Sequence, residues 1–212
     1  MTKSQSIFFS NYLDELFPNA GPELDYTNHF ELLIAVVLSA QTTDIAVNKV
    51  TPGLFKAFPS PYELMNAQVG IVESLIKTIG LYKTKAKHII ALSKILVEKY
   101  DGLIPGQRAD LESLPGVGRK TANVLLSNAF GTPALAVDTH IMRISKRLGI
   151  ADESDDAYQI EMKLTALYDE SLWQKLHHQL IFFGRYHCIA KKPKCSECKM
   201  NKICPFYLRE NT

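Results

Sequence analysis

The sequence predicts an all-α protein. Apolar residues recur at helical spacing along almost the whole chain, few segments alternate with a period of two, and cap-like residues punctuate the apolar runs. Phe30 to Ser39 is apolar nearly all round and reads as a buried helix. Thr43 and Asp44 look like the cap of the next helix, which runs toward Ala57. Pro59 and Pro61 break that pattern, and a helix containing Val69 to Ile79 follows. Ala86, Ile89, Ile90, Leu92, Ile95, Leu96 and Tyr100 share a face of a further helix, which Asp101-Gly102 ends. A short helix from Arg108 to Ser113 precedes Leu114-Pro-Gly-Val-Gly118. Helices near Thr121 to Phe130, Thr139 to Leu148, Asp156 to Tyr168 and Leu172 to Arg185 complete the chain. No internal repeat is evident, and no linker marks a domain boundary.

With 212 residues, 46% of them hydrophobic and 22% charged, the chain has ordinary globular composition and enough length for one large or two small cores. The apolar run Leu32 to Leu38 is too short to span a bilayer. Met1 to Ser10 lacks the sustained apolar region of a secretory signal, so a cytoplasmic protein with no membrane partner is expected. Net charge is only +2, but it is segregated. Arg185 to Cys204 carries six basic side chains against Glu197 alone, whereas Asp152 to Glu170 carries seven acids and one lysine. A face that meets a polyanion and another that stays solvated would produce this pattern, as would two solvated faces.

Leu114-Pro-Gly-Val-Gly118 lies between two helical patterns. Glycines at 116 and 118 let the chain reverse tightly with backbone angles that other residues resist. The amides of Gly116, Val117, Gly118, Arg119 and Thr121, at the mouth of the following helix, form a cradle suited to a DNA phosphate. Such a contact positions the duplex without reading its sequence. A plain inter-helix turn is the alternative. Lys120 stands on the first turn of that helix. A lysine amine is nucleophilic only when neutral, and the nearby positive charge of Arg119 and of the helix end favours loss of its proton. Spacing alone fits a phosphate-contacting lysine equally well.

Ala136-Val-Asp-Thr-His140 leads into an amphipathic helix, so Asp138 reads as an N-cap. It also reads as a carboxylate that stabilises cationic character at a sugar carbon and relays protons. The two readings are compatible.

All four cysteines lie between Cys188 and Cys204, spaced Cys188-x6-Cys195-x2-Cys198-x5-Cys204. Thiols this dense in a reducing compartment point to metal rather than disulfides, either a tetrahedral zinc or an iron–sulfur cluster. Lys191, Lys192 and Lys194 fall inside the first of these loops, where ligation would stiffen a basic finger.

Taken in order, the hairpin string Leu114-Pro-Gly-Val-Gly-Arg-Lys-Thr-Ala122, the Ala136 to His140 segment and the cysteine spacing resemble the endonuclease III family of helix-hairpin-helix DNA repair enzymes. Leu38-Ser-Ala-Gln-Thr-Thr-Asp44, Gly80-Leu-Tyr82 with Lys85-Ala86, and Gly184-Arg-Tyr186 extend the resemblance from about Phe30 through Cys204. It implies two helical domains. One is a six-helix domain over residues 22–132 that ends in the helix-hairpin-helix; the other joins residues 1–21 to 133–212 and holds a structural 4Fe-4S cluster on Cys188, Cys195, Cys198 and Cys204.

The same resemblance makes Lys120 the Schiff-base lysine and Asp138 the essential aspartate. Gln41 fills the gap left by an extruded nucleotide, Leu81 wedges the opposite strand, and His140, Arg143 and Lys191 join the hairpin in holding DNA. The implied activity is excision of oxidised pyrimidines from duplex DNA followed by lyase cleavage of the abasic strand by β-elimination, carried out by a monomer that also acts on ready-made abasic sites. Relatives specific for adenine or mismatches lack lysine at this position and cut no strand, and the adenine branch usually carries a further C-terminal domain, for which eight residues after Cys204 leave no room. Lys83 and Lys87, flanking the wedge, make it more basic than the family pattern. A monofunctional glycosylase, a non-catalytic DNA-binding module and a zinc-stapled structural protein are the competing readings.

Overall fold

The computed structural model describes residues 1–210, and these are helical or loop throughout, with no strand among them. Asn211 and Thr212, counted above in the C-terminal domain, lie outside the described residues. The chain divides into two compact units, Glu23–Thr132 and Met1–Pro22 with Pro133–Thr212. Among the described residues no helix is long and apolar enough to cross a membrane.

The unit Glu23–Thr132 is built around helix α2 (His29–Ser39). Asn28 caps it by accepting from the Glu31 amide at 2.9 Å, and Phe30 and Leu32 through Leu38 are buried. A helix apolar on every side needs neighbours on every side. Helices α3 (Asp44–Ala57), α6 (Tyr82–Tyr100) and α8 (Arg119–Phe130) supply them. Thr43 caps α3 as its sequence suggests, and Pro52 is accommodated inside it.

Pro61 does not interrupt a helix. It opens the single turn α4 (Pro61–Leu64) at the position where a missing N–H costs nothing, with Ser60 as the cap. That turn, α5 (Val69–Ile76) and α7 (Arg108–Glu112) bring this unit to seven helices among the described residues rather than six. Helix α5 also stops at Ile76 instead of Ile79. Helix α6 ends as expected at Asp101 and Gly102, both with positive φ, under the ring of Tyr62, whose hydroxyl donates to the Asp101 carbonyl at 2.9 Å.

The second unit starts with α1 (Lys3–Leu16), opened by a reciprocal Thr2/Gln5 capping box. Its core gathers Phe9, Leu13, Ile141, Ile144, Ile160, Leu164, Leu180 and Phe183. All but Phe183, which follows directly on the last of them, come from α1, α9 (Thr139–Arg147), α10 (Ala157–Leu167) and α11 (Trp173–Phe182). The expected regular helix from Leu172 to Arg185 is not what forms. Helix α11 gives way at Phe183 to a wider π-helical turn, Phe183–His187, which delivers the chain to Cys188. A Cβ on Gly184 would sit 2.7 Å from the Cβ of His140, so glycine is what lets this turn lie against α9. The short helix α12 (Pro205–Glu210) closes the unit over the end of α9.

Candidate functional site

In the unit Glu23–Thr132 the hairpin forms between α7 and α8, as its glycines suggest, but the two glycines do different things. Gly116 has φ +81, and a Cβ there would meet the His88 ring at 2.9 Å and Val37 at 3.1 Å. Gly118 is extended (φ −101, ψ −179), and a Cβ there would meet nothing within 4 Å. The fold therefore requires glycine at 116, while glycine at 118 leaves a clear approach to the start of α8.

No side chain caps that helix end. The Val117 amide donates to the Leu114 carbonyl at 3.0 Å and its side chain is buried, so Val117 shapes the turn rather than offering a donor to a ligand. The amides of the first turn, from Arg119 through Thr121, are those at which a helix presents uncapped donors. Lys120 lies among them, exposed, and Arg119 and Thr121 are half-buried beside it.

Two other expected residues of this unit share an uncommon backbone. Gln41 has φ +54 and Leu81 has φ +57, both left-handed and neither glycine. Both are exposed, Leu81 to 58%. Sequence patterning offers no signal for this strain. Unanticipated as well is Lys85, which is 4% exposed and has its amine pushed below its ordinary range by burial.

In the other unit, Asp138 caps α9, its Oδ1 accepting from the Ile141 amide at 2.8 Å. Arg143, one and a half turns on, spends its guanidinium on protein carbonyls, with Nη2 donating at 2.7 Å to Gly184 and at 3.1 Å to Cys188. Nη2 also lies 3.3 Å from His140 Nδ1. Arg147 continues the series, donating to the carbonyls of Ile189 (2.8 Å) and Ala190 (3.0 Å) and stacking on the Phe206 ring. One face of α9 is thus a clamp on the cysteine loop. The sequence signal for Arg147 is its spacing of four residues from Arg143 on one helix. Lys191 is exposed at the tip of that loop, next to Lys192 with φ +55.

The four cysteines line a single cavity together with Arg147, Phe183, His187 and Phe206. Burial pushes the Cys198 thiol up to about 11, and the neighbouring thiolates of Cys188, Cys204 and Cys195 add to the effect. Burial raises Cys195 likewise, with Cys188 and Cys204 adding. Four converging thiols in a largely apolar cavity need a cationic centre to ionise together, which is the chemistry of a thiolate-held metal. Arg147 Nη1 stands 3.4 Å from Cys188 Sγ, a donor suited to a ligated sulfur. Among the described residues no three His, Cys, Asp or Glu side chains are grouped to hold a single ion.

A family model described as "HhH-GPD superfamily base excision DNA repair protein" matches residues 34–170. Endonuclease III of Bacillus subtilis (strain 168) is 48% identical over 197 residues, covering 93% of this chain and 90% of that protein. Endonuclease III of Escherichia coli (strain K12) is 45% identical over 206 residues, 97% of each. A solved structure of a trapped endonuclease III–DNA covalent intermediate, 45% identical, superposes with a TM-score of 0.96 over 100% of both chains. A thermostable thymine-DNA glycosylase, 24% identical, shares the fold at a TM-score of 0.86 over 98% of both chains.

Proposed function

Because the chain belongs to the HhH-GPD superfamily of base excision DNA repair proteins, and within it to the endonuclease III family, we propose that it removes oxidised pyrimidines through Lys120 and Asp138. It is a DNA glycosylase and abasic-site lyase acting on duplex DNA. The observation that carries the residue assignment is an exposed lysine in the uncapped first turn of α8, two residues after a glycine that nothing crowds.

In the proposed reaction the damaged nucleotide leaves the stack, at reduced cost because a non-planar oxidised pyrimidine stacks poorly. Lys120, having shed its proton, attacks C1′. The C1′–N bond breaks with its electron pair going to the base, which is protonated as it departs. The attached amine then gives up a proton to O4′ as its electron pair forms C=N and the C1′–O4′ bond breaks, opening the sugar ring and leaving a protonated imine. That imine acidifies the C2′ hydrogen. Removal of the proton sends an electron pair toward C3′ and expels the 3′ phosphate, cutting the strand by β-elimination. Asp138 is the carboxylate that offsets positive charge at the sugar and takes part in the proton transfers.

Gln41 and Leu81 fill the gap and wedge the opposite strand. The amides at Gly116, Gly118, Arg119 and Thr121 hold the backbone, and Lys191 supplies positive charge. His140 and Arg143 join them in holding DNA, with Arg143 also bracing the Cys188 carbonyl and His140 meeting the Arg143 guanidinium. Cys188, Cys195, Cys198 and Cys204 hold a 4Fe-4S cluster, which supplies a covalent cross-link that stiffens the basic loop and takes no part in the chemical steps. The protein works as a monomer in the cytoplasm.

Borohydride added during turnover should trap a covalent protein–DNA adduct with the wild type and none with Lys120→Gln. A trapped adduct in the variant, or none in the wild type, would overturn the lysine assignment and favour a monofunctional glycosylase.

A further inference from the structure

We infer that Lys85 is a positioning residue that latches the loop carrying Gln41 to the turn carrying Leu81, so that the two side chains are presented as one rigid pair. The inference rests on reading Gln41 and Leu81 as the residues that probe the duplex.

Both residues hold a left-handed backbone that is strained for any residue but glycine. Such strain persists only where surrounding contacts impose it. Neither side chain supplies those contacts, since both are exposed. They come from beneath. The Lys85 amide donates to the Leu81 carbonyl at 3.0 Å, closing the first turn of α6 on the strained residue. The Lys85 ammonium donates to Thr42 Oγ1 at 2.7 Å. Thr42 is anchored in turn by its amide, which donates to the Ser39 carbonyl at 3.0 Å, and by its hydroxyl, 3.5 Å from the Ala40 carbonyl.

The two backbones also abut directly. A Cβ on Gly80 would lie 3.8 Å from the Gln41 carbonyl oxygen and 3.9 Å from Thr42 Oγ1. One ammonium therefore bridges a segment ending at the Gln41–Thr42 bond and another starting at Leu81, in sequence about forty residues apart.

A lysine is an expensive choice for this place. Its charge is buried, and it sits in the first turns of a helix, where the backbone dipole opposes a cation. A methionine would fill the space without either cost but could not donate to Thr42. The proposed chemistry uses Lys120 as its amine and leaves Lys85 no reactive part. What remains is the donor it directs across the gap between the two loops.

The test uses the full chain with Lys85→Met, Thr42→Val and the double variant. Hydrogen exchange should rise together in residues 40–43 and 80–82 in each single variant. Excision of an oxidised pyrimidine from duplex DNA should fall about tenfold while cleavage at a ready-made abasic site falls less than about threefold, and the double variant should be no worse than the poorer single one. A merely structural lysine would lower both activities alike. Should Lys85→Met fail to fold, Thr42→Val, which removes a single hydroxyl, decides the matter. Exchange that rises in one segment only, or losses that multiply in the double variant, overturns the latch. Gln41→Ala and Leu81→Ala are run alongside. If they leave excision intact, the reading of the two loops is what fails, and the latch is judged on exchange alone.

Discussion

The imidazole Nδ1 of His177 lies 2.8 Å from the carbonyl oxygen of Ala136, two residues before Asp138. Both are buried, His177 to 4% exposure and Ala136 to 1%. Helix α11 thereby holds the segment that enters α9, and Asp138 is presented from a fixed backbone. The ring of His178 packs against that of His177, with centroids 5.0 Å apart.

Burial lowers the His178 pKa from the ordinary 6.5 to about 4. The native state thus refuses a proton that the unfolded chain accepts, so stability from this group is complete above pH 6.5, declines as pH falls below it, and levels off below pH 4. The whole effect is about 3 kcal/mol. Urea unfolding at about pH 7 and about pH 5 should show the wild type losing roughly 2 kcal/mol more than His178→Gln over that interval. Equal losses would mean that the ring is not held neutral.

Asp138 has two roles that one substitution can separate. Asparagine caps a helix about as well as aspartate but carries no charge. Asp138→Asn should leave the melting temperature within a few degrees of wild type and slow base excision by on the order of 10²-fold. Asp138→Ala should lose the cap as well and destabilise by about 1 kcal/mol. If Asp138→Asn retains full excision, the residue is a cap and nothing more.

The hairpin glycines divide in the same way. Gly116→Ala forces a side chain into a positive-φ position against His88 and Val37, and should cost about 1–2 kcal/mol or more of stability. Gly118→Ala has room and an ordinary backbone, so thermal stability should be unchanged. Affinity for an abasic-site analogue in duplex DNA should nevertheless drop several-fold, because the methyl group occupies the approach to α8. Tight binding by Gly118→Ala would remove the hairpin from the DNA interface.

Local chemistry was legible in the sequence and distant chemistry was not. The caps at Thr43 and Asp138, the buried run Phe30 to Leu38 and the helix stop at Asp101-Gly102 depend on neighbours within a turn or two, and each forms where its residues suggest. The four cysteines, close in sequence, line one cavity together. By contrast, Lys85 is buried because of Thr42, and His177 is fixed because of Ala136. The π turn at Phe183–His187 answers to Gly184 meeting His140. Pairings of this kind leave no periodic trace, and the hold of Arg143 on the carbonyls of Gly184 and Cys188 is another of them.

Arg143 and Arg147 donate to the cysteine loop, whose position is thereby shared between the α9 clamp and whatever the thiols hold. Removing one ligand should expose that division. Cys198→Ser should lower bound iron and acid-labile sulfide below stoichiometry while most of the far-ultraviolet helical signal is retained, since the core of this unit is built mainly from apolar residues of α1, α9, α10 and α11, with Met200 and Cys204 its buried members from the loop. The basic finger at Lys191 should then loosen, weakening DNA binding several-fold and flattening its salt dependence by about one phosphate contact. Lyase turnover at saturating DNA should change less than affinity does, because Lys120 lies in the other unit. Full iron content in Cys198→Ser would remove that cysteine from the ligand set. An unchanged affinity alongside lost iron would show that the arginine clamp alone shapes the loop.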